Sequence, residues 1–172
     1  MKTILELMAA YNKAANDELY EILDKADPEL LTRSHNTYYD SVLGLLNHVL
    51  LADLGWLSRF RDSNLDLPSL RSPVIEFEHP GGQHISHDNW SDLSGHRVKT
   101  DDLFVAFIEE TPQALFEGEI EVPRRDKTRV FPFGKIVMHV FNHQTHHRGA
   151  VSTILDQNGI ENDYSNVLNL LV

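Results

Sequence analysis

The chain contains no cysteine. That excludes disulfides, iron–sulfur clusters, thiolate zinc sites and a cysteine nucleophile in one stroke. It is also poor in positive charge, with 15 Lys and Arg against 26 Asp and Glu and a formal net charge of -11. Non-specific nucleic-acid binding works by neutralising phosphates, and docking on anionic lipid needs basic patches, so neither partner is expected. No apolar run approaches the length of a membrane span, and Met1-Lys-Thr-Ile-Leu-Glu lacks the apolar core of a signal peptide. The expected compartment is the cytoplasm. Any metal would have to be held by His, Asp, Glu or solvent.

Histidine, by contrast, is plentiful. Four of the ten fall within nine residues, in His139-Val-Phe-Asn-His143-Gln-Thr-His146-His147. At 100° per residue, Ile136, Val137, Val140, Ala150, Val151, Ile154 and Leu155 form one apolar stripe. His147 falls near the middle of the stripe and His143 inside it, while His139 and His146 project to its margin, roughly 95–115° from its centre. Two imidazoles one turn apart on an inward face can grip one ion. They are hard to satisfy as ordinary core histidines, because each ring nitrogen needs its own polar partner.

The 172 residues are expected to form one domain, 1–172, with enough length for a substantial core. Helical spacing predicts a first helix over 3–25, closed by Asp27-Pro28, with a further short turn from Pro28 to Leu31. A second helix is predicted over Tyr39–Phe60, apolar over much of its circumference and about 33 Å long. Residues 61–100 read as a long crossover punctuated by Pro68, Pro73, Pro80, Gly81, Gly82 and Gly95, with a turn or two of helix around 88–93. Such a connector is expected to form a wall or lid over a site, and its His79, His84, His87 and His96 read as solvated. A third helix is predicted over Asp101–Phe116, with Pro112 disturbing its last turn. Alternation over 118–133 predicts a two-stranded hairpin that must lean on the helices. Lys135–Asn158 reads as the last helix, closed at Gly159. The tail is expected to dock through Val167, Leu168, Leu170, Leu171 and Val172.

A catalytic metal site of the zinc type usually has three protein ligands and an open position. His48 is the only histidine in the second helix, at the edge of its apolar arc beside Ser41, Gly44 and Gly55. Those small neighbours leave room for a ligand but fit close packing equally well, so spacing does not select His48 by itself. The His-Glu-x-x-His motif of zinc proteases is absent, since Gln144 stands where glutamate would be.

Residues 42–60, with Asn47-His48, Asp53 and Trp56, resemble the second helix of the DinB/YfiT family. Asn142-His143-Gln-Thr145-His146-His147-Arg148-Gly149 is similar to that family's Asn-His-x-Thr-x-His-Arg-Gly signature, and Tyr11-Asn12-x-x-Ala15-Asn16 resembles its first helix. Ala14 departs from the tryptophan many members carry there, and the 61–100 connector looks longer than usual. The resemblance implies a four-helix bundle with a long crossover, a homodimer, and a three-histidine site made by His48, His143 and His147 that holds nickel or zinc. It also implies a metal-dependent S-transferase that uses a low-molecular-weight thiol against a small electrophilic substrate. Two alternatives stand beside it: a metal-dependent hydrolase, with Asp53 or Asp40 as base, and a non-catalytic metal-binding bundle. Other residues have plainer readings. Asp53 reads as a salt bridge or a polar contact at a helix edge, Trp56 and Trp90 as packing, and Arg148 as one half of a structural ion pair. Arg124, Arg125 and Lys127 read as solvated turn residues, and Asn142 as a surface amide that could orient a neighbour.

Overall fold

A computed structural model describes residues 1–63, 65–76, 86–124 and 127–170. His79, His84, Pro80, Gly81, Gly82, Arg125, Leu171 and Val172 lie outside the described residues, and so do the side chains of Arg124 and Leu170. The elements are α1 (Lys2–Lys25), α2 (Pro28–Thr32), α3 (Val42–Asp62), α4 (Trp90–Glu110), α5 (Gln113–Glu117), β1 (Glu119–Arg124), β2 (Lys127–Pro132) and α6 (Phe133–Gln157). Short 3-10 turns cover Pro68–Arg71, Pro73–Ile75 and Val167–Leu170. The four long helices make the bundle. α1 packs between α4 and α6, and so does α3, which places α1 and α3 at opposite corners. No helix among the described residues is long and apolar enough to cross a membrane.

The ends of the helices follow from local chemistry. α3 begins at Val42 instead of Tyr39, because Asn36 and Asp40 take positive φ (54° and 65°) and Ser41 caps the helix by accepting from the Gly44 N–H at 3.0 Å. Asn and Asp are the non-glycine residues that enter this region most readily. A Cβ on Gly44 would stand 2.2 Å from the Tyr39 carbonyl oxygen, so the glycine lets the 33–41 loop close over the start of α3. At the same end of the bundle, Gly159 (φ 68°) closes α6. Its N–H donates to Asp156 O and the Ile160 N–H to Leu155 O, both at 3.0 Å, the paired bonds of a Schellman cap.

The third bundle helix departs most from expectation. α4 starts at Trp90, eleven residues before Asp101, where the Asn89 side chain accepts from the Asp92 N–H at 2.9 Å. Its first half carries no continuous apolar stripe because two of its inward positions are Arg97 and Asp101, each 1 % exposed. Periodicity in hydrophobicity cannot see a helix whose buried face is charged. The crossover therefore ends at Asn89. Pro112 does more than kink the helix: it holds Thr111 extended (φ -69°, ψ 120°) and separates α4 from α5.

The hairpin pairs Glu119 with Pro132 through Arg124 with Lys127 in antiparallel register. Ile120 and Val122 of β1 are buried in the core formed by Phe60, Phe104, Phe107, Phe116, Phe133 and Phe141, as a two-stranded ribbon requires. The tail docks on α1 through the Val167–Leu170 turn, where Val167 is half-buried, and a residue outside the expected set adds a second anchor on α6. Leu168 is exposed, whereas Tyr164 is buried, with its hydroxyl bonded to Ser152 at 2.6 Å and donating to Arg148 O at 3.3 Å.

Candidate metal centre

α3 and α6 face each other along the seam that carries the histidines. On α6, His147 is buried and His143 half-buried, while His139 and His146 are exposed, the division expected from helical arithmetic. His48, half-buried on α3, comes to meet the inward pair. Its Nε2 lies 3.1 Å from His143 Nε2, which lies 3.1 Å from His147 Nε2. All three ligand atoms fall within 4.8 Å of one another, so this group could hold a metal ion.

These contacts are poor as hydrogen bonds. A neutral imidazole nitrogen carries either one proton or one lone pair. His143 Nε2 therefore makes one good bond to its two neighbours, never two. As ligands the same atoms are well placed, because nitrogens about 2.0–2.1 Å from a tetrahedral ion stand about 3.3 Å apart. The donor set thus fits a divalent transition ion with an open fourth position.

The site is kept neutral by its surroundings. Burial, reinforced by positive charge from His48, His139, His146 and Arg97, lowers the His143 pKa to about 4. Burial, then His143, His48 and His146, does the same for His147, also to about 4. Burial lowers His48 as well. Free imidazole lone pairs, the form a metal needs, therefore persist well below neutrality. Tyr39 covers the group: its ring stacks on His48 (centroids 4.1 Å, 19°) and meets His147 edge-on at 5.6 Å. The Gly44 and Ser41 neighbours of His48 thus serve the Tyr39 loop, and Gly55 accommodates the Arg59 guanidinium 3.1 Å from where its Cβ would stand. Their small size makes room for protein atoms, not for a ligand.

On the adjacent face of α6 lies a second polar cluster that the sequence reading missed. Arg97 Nη1 donates to Asp53 at 2.5 Å, Nη2 to Asp101 at 2.8 Å and Gln144 at 3.1 Å, and Nε to the Tyr20 hydroxyl at 3.0 Å. Gln144 Oε1 also accepts from Asn12 (2.8 Å) and Asn16 (3.1 Å). Tyr20 and Asn16 donate to Asp101 at 2.9 and 3.0 Å. Arg148 donates to the carbonyl oxygens of Asn12 (2.5 Å) and Asn16 (3.0 Å), with its guanidinium over the Tyr11 ring. Arg148 is structural, then, but bonded to amides and not to a carboxylate. Asp53 makes the expected salt bridge, with Arg97, but is fully buried and not at a helix edge, and burial pushes its pKa up to about 7 against the pull of Arg97. The overlooked signal is a four-residue spacing: Asn12/Asn16/Tyr20, Arg97/Asp101 and Gln144/Arg148 each place polar groups on one inward face.

Asp40 is exposed and turned to Ser34 Oγ and the 33–41 loop, and the histidine group includes no carboxylate among the described residues. Asn47, next to His48, reaches away from the site. Its Oδ1 accepts from the backbone N–H groups of Ser86 and His87, both at 2.9 Å, and its amide donates to His87 O at 3.0 Å, which ties the end of the crossover to α3. His87 and His96 are half-buried, not solvated: His87 Nε2 is 3.0 Å from His96 Nδ1, whose ring's Nε2 meets Val74 O at 3.2 Å. Trp90 donates to Asp24 at 2.6 Å and packs edge-on to Tyr20. Lys127 and Asn142 are exposed.

With this geometry in place, comparison with known proteins is informative. The chain is 24 % identical over 151 residues to Protein DinB of Bacillus subtilis (strain 168), covering 87 % of this chain and 83 % of that protein. The profile of the DinB family matches residues 1–170, close to the whole length. The chain belongs to the DinB family.

Proposed function

We propose that this protein binds one divalent transition ion, nickel or zinc, through His48, His143 and His147, and serves as a thiol S-transferase acting on a small electrophile. The observation that carries the reading is the convergence of three ring nitrogens, His143 Nε2 lying 3.1 Å from each of the other two and all within 4.8 Å, a poor hydrogen-bond arrangement and a good donor set. An ion held there supplies one thing, acidification of a presented low-molecular-weight thiol so that it reacts as thiolate. The chain contributes the rest. Burial keeps the three imidazoles unprotonated, and Tyr39 shields His48 and His147 from water. Three neutral ligands leave the ion's full positive charge available to an anion. The absence of cysteine from the chain suits a reaction whose thiol comes from outside. A hydrolase would be helped by a carboxylate base, yet Asp53 is bound to Arg97 and Asp40 to its own loop. The same proposal includes a homodimer, checked by sedimentation.

The test offers metal-loaded, tag-free protein a panel of cellular thiols with a chromogenic electrophile. Metal-dependent acceleration with one thiol, abolished in His147→Ala, is expected. Ester hydrolysis without thiol would replace the transferase reading with the hydrolytic one, and neither activity would leave a non-catalytic metal-binding bundle.

A further inference from the structure

One turn of α6 beyond His143, the α3–α6 seam opens into a cavity of about 380 Å³. Its floor is apolar, made by Trp56 of α3, Phe131 of β2 and Ile136 of α6, and the volume is that of a small-ligand pocket. Two cations, Arg129 and Lys135, line it from the hairpin and the start of α6. His139 lines it on the side of the metal centre, with its ring 5.9 Å from Trp56 and 6.4 Å from His143. The Arg59 guanidinium sits over the Trp56 ring at 5.1 Å and adds a third positive charge nearby.

The charge pattern needs an explanation. In a chain of net charge -11, acidic partners for surface cations are abundant. Lys2, Lys13, Lys25, Arg61 and Arg71 each take one, whereas the exposed Lys99 and Lys127 do not among the described residues. Arg129 and Lys135 have no ion-pair or hydrogen-bond partner among the described residues, although they flank the same cavity. An apolar floor with unpaired cations at its rim is complementary to an amphipathic anion.

We propose that this cavity binds small organic anions with an aromatic body, the arylalkanoate class, with the carboxylate against Arg129 and Lys135. The apolar body lies on Trp56, Phe131 and Ile136 and points along α6 toward His139 and the histidine group. For the proposed transferase this narrows the substrate to electrophiles that carry such a carboxylate and apolar body, and it rests on that reading for its catalytic meaning. The binding itself requires no metal. His139, read as a bystander to the metal, becomes the residue between the two sites.

The test is calorimetric titration of metal-free wild-type protein with 4-phenylbutyrate and with its uncharged isostere 4-phenylbutyramide. The carboxylate should bind about three- to tenfold more tightly, the size expected of two solvent-accessible charge contacts, and added salt should shrink the difference. Arg129→Gln with Lys135→Gln should equalise the two ligands. In Trp90→Phe protein, where Trp56 is the only tryptophan, either ligand should change the fluorescence. Equal binding of acid and amide, a preference that survives the double substitution, or no binding at millimolar concentration would each overturn the proposal. His48→Ala keeps the two readings apart. Carboxylate preference without metal uptake in wild-type protein sinks the metal reading alone, and metal uptake without the preference sinks the cavity alone.

Discussion

Two polar constellations interrupt the apolar interior, and they run along neighbouring faces of the same helix. Gln144 and Arg148 look toward α1 and α4, where donors meet acceptors and two guanidinium groups balance two carboxylates. His143 and His147, one residue earlier in each turn, look toward α3 and meet His48, where three groups of the same kind face one another. The first arrangement satisfies itself almost completely, with only Asp53 Oδ1 and Gln144 Nε2 lacking a partner among the described residues. The second cannot be satisfied by its own members. A paired network specifies how the helices sit, whereas a convergence of like donors calls for a guest.

The sharpest way to break this contrast is to remove the centre of the paired network. Arg97→Met strands Asp53 and Asp101 in the interior, and urea unfolding should show a loss of about 3–5 kcal/mol, as for breaking other buried ion pairs. A loss below about 1 kcal/mol, the worth of a surface pair, would mean the network is not structural. In the histidine group the balance reverses. His147→Ala should cost little stability but should weaken metal binding by more than the roughly 10- to 100-fold typical of an outer-shell change. Competition with a chromogenic chelator reads that directly.

Acid sharpens the comparison, because the two regions respond with opposite sign. The folded metal-free protein holds His143 and His147 at about 4, below the ordinary value of 6.5. Between those limits the unfolded chain takes up protons that the folded chain refuses, so stability falls as pH drops from 6.5 toward 4. Asp53 works the other way: its folded pKa of about 7 lies above the ordinary 3.8, so it binds a proton on folding and favours the folded state as pH drops through 7. The loss of stability toward acid should therefore be abolished or reversed in His143→Gln/His147→Gln and larger than wild type in Asp53→Asn. The reverse ranking would misassign both regions. The smallest effect belongs to His146→Ala, which should leave metal affinity and stability nearly unchanged, since that ring is exposed outside the group.

How much of this was legible beforehand depends on whether a feature lives within one helix. The inward turn of His143 and His147 follows from 100° per residue and an apolar stripe. The hairpin and the Gly159 cap likewise follow from short-range pattern, whereas the four-helix bundle comes from the family resemblance. His48 was not selected by spacing, because its partnership depends on how α3 and α6 meet, and it entered through resemblance to the DinB family. The first half of α4 was hidden by Arg97 and Asp101, whose burial only makes sense once Asp53, Tyr20 and Gln144 close around them. Helical spacing puts Tyr39 in the second helix, whereas the positive φ of Asp40 and the missing Cβ of Gly44 place it in the loop that stacks on His48. Long-range complementarity, not local propensity, is what the sequence conceals.

The central claim is that three histidines form a receptor for one ion. Calorimetric titration of zinc and nickel into metal-free, tag-free protein tests it most directly, run in parallel on wild type and on His48→Ala, His143→Ala and His147→Ala. One equivalent per wild-type chain, with binding strongly weakened in each variant, is the predicted result. No binding to wild type, or one equivalent retained at unchanged affinity in all three variants, would contradict it.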